Sequence, residues 1–430
     1  MNSHLSWKCW SFLLFVFSIL SFPVRAEEAI VLDQIIKIAL ENNKDLKVAK
    51  HNVDVAKARL VQAGQYPNPR LNLLNSDDRL LTNEGEYARS VGISQEFPVA
   101  GRIGNQENVA KVDIEIALSE IKNAERKLKG EIASGFYTLL VIDLRLEKIN
   151  AFLTVTKKLM EVTRKRYGAA EVSELDVNAA QLEYERLLQE RSLLDSQRIT
   201  QISKLNELLG GCLSSHLIVH KNLPETFTVE TLDEQINLAF KLRPELRIAL
   251  LSINRAKADN ELAHAQKWED WTVGVGFERD KQVVTGAPPQ KPDNKLALNL
   301  SIPLPLLNSN QGRIRETTAL HSQALSKVDA IKLTIQTEVE KAYSEVQALK
   351  NIIDRFDKNS IALSEKNALL AQNAYNNGQI SFLEVVQAQR QQNDLQTLYL
   401  NTLDQYLQAF VKLQTAIGFW NEKDELQSCN

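Results

Sequence analysis

The feature that most constrains this chain is that it repeats itself. Segments about 200 positions apart match in order along nearly its whole length. Leu32-Asp33, Ile36 and Ala39 recur as Leu232-Asp233, Ile236 and Ala239, and Ala56-Lys57-Ala58 recurs as Ala256-Lys257-Ala258. Gly101-Arg102-Ile103 returns as Gly312-Arg313-Ile314. Near the end of each copy, Tyr167, Val172-Ser173, Leu175-Asp176-Val177 and Gly210 return as Tyr375, Ile380-Ser381, Leu383-Glu384-Val385 and Gly418. Turn positions match as well as helical ones, and the offset drifts, as duplication followed by small insertions produces. The expected organisation is a first repeat over 27–211, a connector over 212–231, a second repeat over 232–420 and a tail over 421–430.

Each copy reads helix, strand, strand, long helix, long helix. The first helix is expected from Leu32 to about Gln65, where Pro67 and Pro69 follow. From Gly104 to Tyr167 there is no proline, and some 60 helical residues make a rod of roughly 90 Å. Its partner helix is expected from Ser173 to about Leu209. In the second copy the rod is expected from Arg313 to Tyr375 and the partner from Ser381 to Ile417. Only 16 Gly and 11 Pro in 430 residues suit long helices better than a turn-rich all-β chain. The fold class expected is mainly α with a small β part.

The N-terminus reads as an export signal over 1–26. One early lysine, Lys8, precedes an apolar run from Cys9 to Phe22, and Val24-Arg25-Ala26 offers a cleavage site. The run is too short for a membrane span. Cys9 lies ahead of it, so no lipoprotein-type cysteine opens the mature chain. Three Cys exclude a disulfide framework, and a net charge of −3 excludes nucleic-acid binding driven by bulk positive charge.

The strands alternate sharply. Trp271, Val273, Val275 and Phe277 face one way, and Thr272, Gly274, Gly276 and Glu278 the other. Leu296, Leu298, Leu300 and Ile302 alternate with Ala297, Asn299 and Ser301. In the first copy Tyr87, Val91, Ile93 and Phe97 alternate with small residues, with Arg89 interrupting the apolar face. The strand around Leu71 and Leu73 is less clear. Lengths near 9–11 residues suit a membrane barrel, although a soluble sheet with one face on a core would alternate in the same way. The export signal and the rods favour the barrel. Four strands cannot close one, and open edges in lipid are costly, so the chain must oligomerise. Polar links over Leu80–Gly85 and Lys281–Asn294 join the paired strands.

The mature chain resembles the TolC-like outer-membrane efflux channels. The resemblance rests on the duplication, on the turn Tyr375-Asn376-Asn377-Gly378-Gln379-Ile380-Ser381-Phe382-Leu383-Glu384-Val385, and on Pro303-Leu304-Pro305 followed by Gln311-Gly312-Arg313. That last motif, with Gln95-Glu96-Phe97-Pro98-Val99-Ala100-Gly101-Arg102, is similar to the heavy-metal (CzcC-like) branch. The family implies a homotrimer with a 12-strand barrel in the outer membrane and a helical barrel reaching into the periplasm. It also implies a periplasmic adaptor and an inner-membrane pump as partners.

In that family the turns at Tyr375, Gly378 and Ser381, and at Tyr167, form the periplasmic end. Glu384 matches an aperture carboxylate, and Gln387 stands where a second carboxylate is found one turn on. Three copies of Glu384 would make a cation-attracting ring. The competing reading is a capping carboxylate beside Ser381. Asp176 is the first-copy counterpart with the same two readings. Ala170 stands where the second copy has Gly378, which puts the geometry of the first turn in question.

Cys212, His216 and His220 are spaced four apart, but Gly210-Gly211 precedes them and Leu217-Ile218-Val219 looks extended, so exposed connector residues are expected rather than a metal site. Gly274-x-Gly276 lacks the third glycine and the helix of a dinucleotide fingerprint, and no Gly-x-Ser-x-Gly, His-Glu-x-x-His or P-loop occurs. No catalysis and no cofactor are expected. The function expected is a passive exit duct for divalent heavy-metal cations, with a multidrug or protein-secretion duct as one alternative. A secreted coiled-coil scaffold or adhesin is the other.

Overall fold

The computed structural model describes residues 31–78, 85–211, 231–284, 286–288, 290–356, 360–418 and 420. The expected signal, the tail and Cys212, His216 and His220 lie outside them, as does most of the Leu80–Gly85 link. The first half runs α1 (Leu32–Asn42), α2 (Lys44–Ala63), β1 (Arg70–Asp77), β2 (Tyr87–Phe97), α3 (Arg102–Gly168) and α4 (Glu174–Leu208). The second runs α5 (Leu232–Leu242), α6 (Pro244–Ala265), β3 (Trp271–Lys281), β4 (Asp293–Ser301), α7 (Gln311–Arg355), α8 (Ile361–Asn376) and α9 (Phe382–Ile417).

One expectation is corrected. The first helix is not continuous from Leu32 to Gln65. It breaks at Asn43, whose ψ of 131° is extended and whose side chain caps the next helix by accepting from the Leu46 amide at 2.8 Å. In the second copy the same break falls at Arg243, and Pro244 opens α6, where a missing amide proton costs nothing. In the second copy α7 and α8 lie on either side of residues 357–359, which are outside the described residues, and the flanking Phe356 and Ser360 both keep right-handed helical angles. At 67 residues, α3 is roughly 100 Å long.

The four strands form one antiparallel sheet in the order β1-β2-β3-β4, so the β2–β3 seam joins the two halves. Phe97 stands opposite Trp271 and Thr272 opposite Ser301, which brings the helical ends of the strands level. Leu73, Val91, Val275 and Leu298 on the apolar face are all exposed in the single chain. The other face is small: Gly92 opposes Gly276, and Ser94 opposes Gly274. Arg89 keeps to the expected face because its guanidinium donates to Asn75 at 3.1 Å and lies over the Tyr87 ring. Among the described residues, no further strand pairs with the outer edge of β1 or β4.

Helix packing ties the halves together midway along the rods. One apolar cluster joins α1, α3, α4 and α9 through Ile35, Ile132, Phe136, Leu205 and Leu407. A second joins α5, α6, α7 and α9 through Ala239, Leu246, Ile335, Val339 and Phe410. The helix breaks serve both. Asn43 Nδ2 donates to the Leu208 carbonyl at 2.8 Å, and Arg243 donates to the matching Ala416 carbonyl at 3.2 Å, each satisfying the last turn of a long helix. Gly210 is required here. Its φ is +72°, and a Cβ would stand 2.4 Å from the Asn42 carbonyl oxygen.

Between the clusters lies a buried ion network. Arg126 of α3 donates to Glu245 at 2.8 Å and to the Thr415 carbonyl at 2.5 Å, while Arg243 bonds both Glu245 and Glu338. Burial pushes Arg126 below its usual pKa. Burial pushes the Glu245 carboxyl up, but the Arg243 hydrogen bond and the neighbouring positive charges outweigh it and hold it below the usual range.

Candidate functional site

The turns that close the two helical hairpins follow the full length of α3 and lie at the end of the rods away from the sheet. Both are built the same way. After α3, the Glu171 amide donates to the Arg166 carbonyl and the Ala170 amide to Tyr167. After α8, the Gln379 amide donates to Ala374 and the Gly378 amide to Tyr375. This is the pattern that ends a helix through one left-handed residue, and that residue is Gly378 (φ 71°) in one turn and Ala170 (φ 58°) in the other. The question over the first turn is thus resolved: alanine holds the glycine conformation. Gly378→Ala is expected to destabilise its turn by about 1 kcal/mol, and Ala170→Gly to tighten its own by a little less. Hydrogen exchange at the Gln379 and Glu171 amides measures both.

The next helices open with matching capping boxes. The Ser381 hydroxyl accepts from the Glu384 amide, and the Glu384 carboxylate accepts from the Ser381 amide at 2.7 Å and from its hydroxyl at 2.8 Å. Ser173 and Asp176 repeat this at 3.1 and 2.8 Å. Glu384 is therefore a capping carboxylate, and its bonds from the Ser381 backbone and hydroxyl hold its pKa below the usual range. It remains exposed, as does Gln387 one turn on, whereas Asp176 is half-buried.

The two turn tyrosines part company. Tyr167 is exposed, but Tyr375 is 1% exposed. The Tyr375 hydroxyl shares a 2.9 Å hydrogen bond with Thr163 of α3, and its ring meets Phe382 edge-on. Arg166 stacks over that ring, donates to the Tyr375 carbonyl at 2.9 Å and pairs with Glu171. With Leu159, Ala180 and Val385 this makes an apolar knot joining the tips of both hairpins. Sequence reasoning placed Tyr375 at the tip and missed Thr163 and Arg166, which lie more than 200 positions away.

Two helical turns beyond Asp176, a second link went unseen. Glu183 of α4 is buried and accepts from Arg186 at 2.9 Å and from Arg390 of α9 at 2.6 Å. Burial raises its pKa, but the two arginine hydrogen bonds outweigh that and lower it. Among the described residues, no three His, Cys, Asp or Glu side chains come together as metal ligands.

The family model for outer membrane efflux proteins matches this chain twice, over 35–211 and 235–419. The chain is an outer membrane efflux protein. The efflux protein is 20% identical to the cobalt-zinc-cadmium resistance protein CzcC of Cupriavidus metallidurans over 405 residues, 92% of each chain. It is 24% identical to the solvent efflux pump outer membrane protein SrpC of Pseudomonas putida, across 90% of this chain and 84% of SrpC. Its fold matches the crystal structure of CusC with a TM-score of 0.70 at 18% identity, over 90% of this chain and 92% of the other. The efflux protein is thus a channel of the outer membrane extending into the periplasm, and the resemblance seen in the sequence holds. Among the described residues no helix is long and apolar enough to cross a membrane.

Proposed function

We propose that this efflux protein is the passive exit duct of a three-part pump that expels divalent heavy-metal cations. The observation that carries the substrate is the likeness to the cobalt-zinc-cadmium resistance protein across 92% of both chains. The open edges of the four-stranded sheet call for closure by oligomerisation, as eight strands in a dimer or 12 in a trimer, and the family resemblance favours the homotrimer. The hairpin tips would meet a periplasmic adaptor, and the adaptor an inner-membrane pump that supplies the energy. Likeness to the solvent protein SrpC supports a second reading, export of small toxic organics. A strain deleted for this chain separates the two. Metal export requires sensitivity to zinc, cobalt or cadmium that the intact chain restores. Sensitivity to toluene with unchanged metal tolerance would overturn it in favour of the second reading.

In the trimer, the exposed tip residues Glu384 and Gln387, near Tyr167, Gly378 and Ser381, would line the periplasmic aperture. Three Glu384 carboxylates would draw cations into it. Glu384→Gln is expected to lower cation conductance in planar bilayers, and unchanged conductance would sink the role. The cap bonds that lower the Glu384 pKa also set the pH dependence. Because those bonds favour the charged form, cation preference should be lost at a lower pH than in a Ser381→Ala variant, whose Glu384 lacks the hydroxyl bond.

A further inference from the structure

The apolar face of β4 does not stop where the strand stops. Leu298 and Leu300 alternate along it and are 80% and 61% exposed. Ile302 and Leu304 keep the alternation beyond Ser301, the last strand residue, and Leu306 and Leu307 follow at 83% and 96% exposed. Pairing of Thr272 with Ser301 sets Ile302 level with Trp271 and Phe97. Exposed aromatic rings at a strand end mark the boundary between lipid and water. The three leucines therefore lie on the helical, periplasmic side of that boundary, next to it.

The backbone there is not available for further strand pairing. Pro303 and Pro305 remove two amide donors, and the Leu306 amide donates to the Leu304 carbonyl at 2.8 Å, closing a three-residue turn around Pro305. Nor does the repeated fold need the leucines. The matching turn of the first half is Pro98-Val99-Ala100-Gly101, and its seam against β3 is closed by an ion pair between Arg102 and Asp270. Seam packing of this kind is polar, so the leucines are additional to it.

We propose that Leu304, Leu306 and Leu307 form a foot that inserts into the phospholipid leaflet on the periplasmic side of the outer membrane. The foot continues the lipid-facing surface of β4 around its end, and leucines at headgroup depth bind by burying apolar area among acyl chains. It anchors the junction where the barrel passes into the rods, at one point per chain. The inference rests on the outer-membrane location and not on the identity of the cargo.

Site-directed spin labelling of the full chain in phosphatidylethanolamine–phosphatidylglycerol vesicles tests it, in a Cys9→Ser, Cys212→Ser, Cys429→Ser background. A nitroxide on Leu307→Cys is probed with oxygen, which concentrates in lipid, and with a nickel chelate, which stays in water. Leu298→Cys reports the lipid face and Asn377→Cys the aqueous tip. The expected result is an oxygen-to-nickel accessibility ratio several-fold above that at Asn377→Cys and below that at Leu298→Cys. A ratio equal to that at Asn377→Cys overturns the foot, and so does protection from both probes, which would mean that a second copy covers the leucines. A water-like ratio at Leu298→Cys would overturn the membrane location itself and the foot with it. Leu304→Cys replaces Leu307→Cys if the latter fails to assemble.

Discussion

Glu245→Ala is expected to destabilise the protein by about 3–5 kcal/mol, because it leaves two buried guanidinium groups without their shared carboxylate. Arg126 and Arg243 are 8% and 4% exposed, so water cannot compensate them. Glu338, the remaining carboxylate, is half-exposed and reaches only Arg243. The cost should be large because the network does more than pair charges. Through Arg126 and Arg243 it also satisfies the carbonyls of Thr415 and Ala416 at the end of α9, and it fastens α3 of the first half to α6 and α7 of the second. Urea unfolding of the detergent-solubilised protein measures the loss, with exposed Glu131→Ala as a control expected to stay within about 0.5 kcal/mol. The pH dependence has a definite sign. Glu245 titrates below its usual range in the fold, so its contribution is whole above the unfolded pKa and is lost as pH falls through the folded one. The intact protein and the variant should therefore converge in acid.

Val275→Arg should be the most damaging change in the sheet. Val275 lies mid-way along β3 on the apolar face, 49% exposed in the single chain and opposite Ile93 and Leu298. An arginine at the bilayer midplane on a lipid-facing strand position costs about 2–4 kcal/mol, and a trimer would bear it three times. The variant should lose the heat-modifiable trimer on gels. Ser90→Arg is the matching control on the opposite face, where Ser90 stands across from Glu278. A charge there meets water and a carboxylate, so assembly should survive. If both variants assembled equally well, the apolar face would not be the lipid face.

What the sequence revealed and what it hid divides by distance along the chain. The capping boxes were legible because Ser381 and Glu384, like Ser173 and Asp176, are three residues apart. The alternation of β3 was legible for the same reason, whereas Pro244, a local signal of the second-copy helix break, went unused. Asn43 marked the first-copy break only through a side chain that reaches Leu208, 165 positions on. The left-handed turn at Ala170 was hidden because alanine gives no sign of positive φ, and it appears only as the duplicate of Gly378. Burial of Tyr375 and the Glu183–Arg390 link depend on the register of one hairpin against the other, and that register is set by packing along whole rods.

Single-channel recording tests the central claim most directly, that this chain forms a cation-passing conduit through the outer membrane. The purified full chain, extracted in detergent and added to a planar bilayer under a potassium chloride gradient, should give discrete conductance steps with a reversal potential on the cation-selective side. A water-soluble elongated species that gives no steps would contradict the account, and so would steps with anion selectivity.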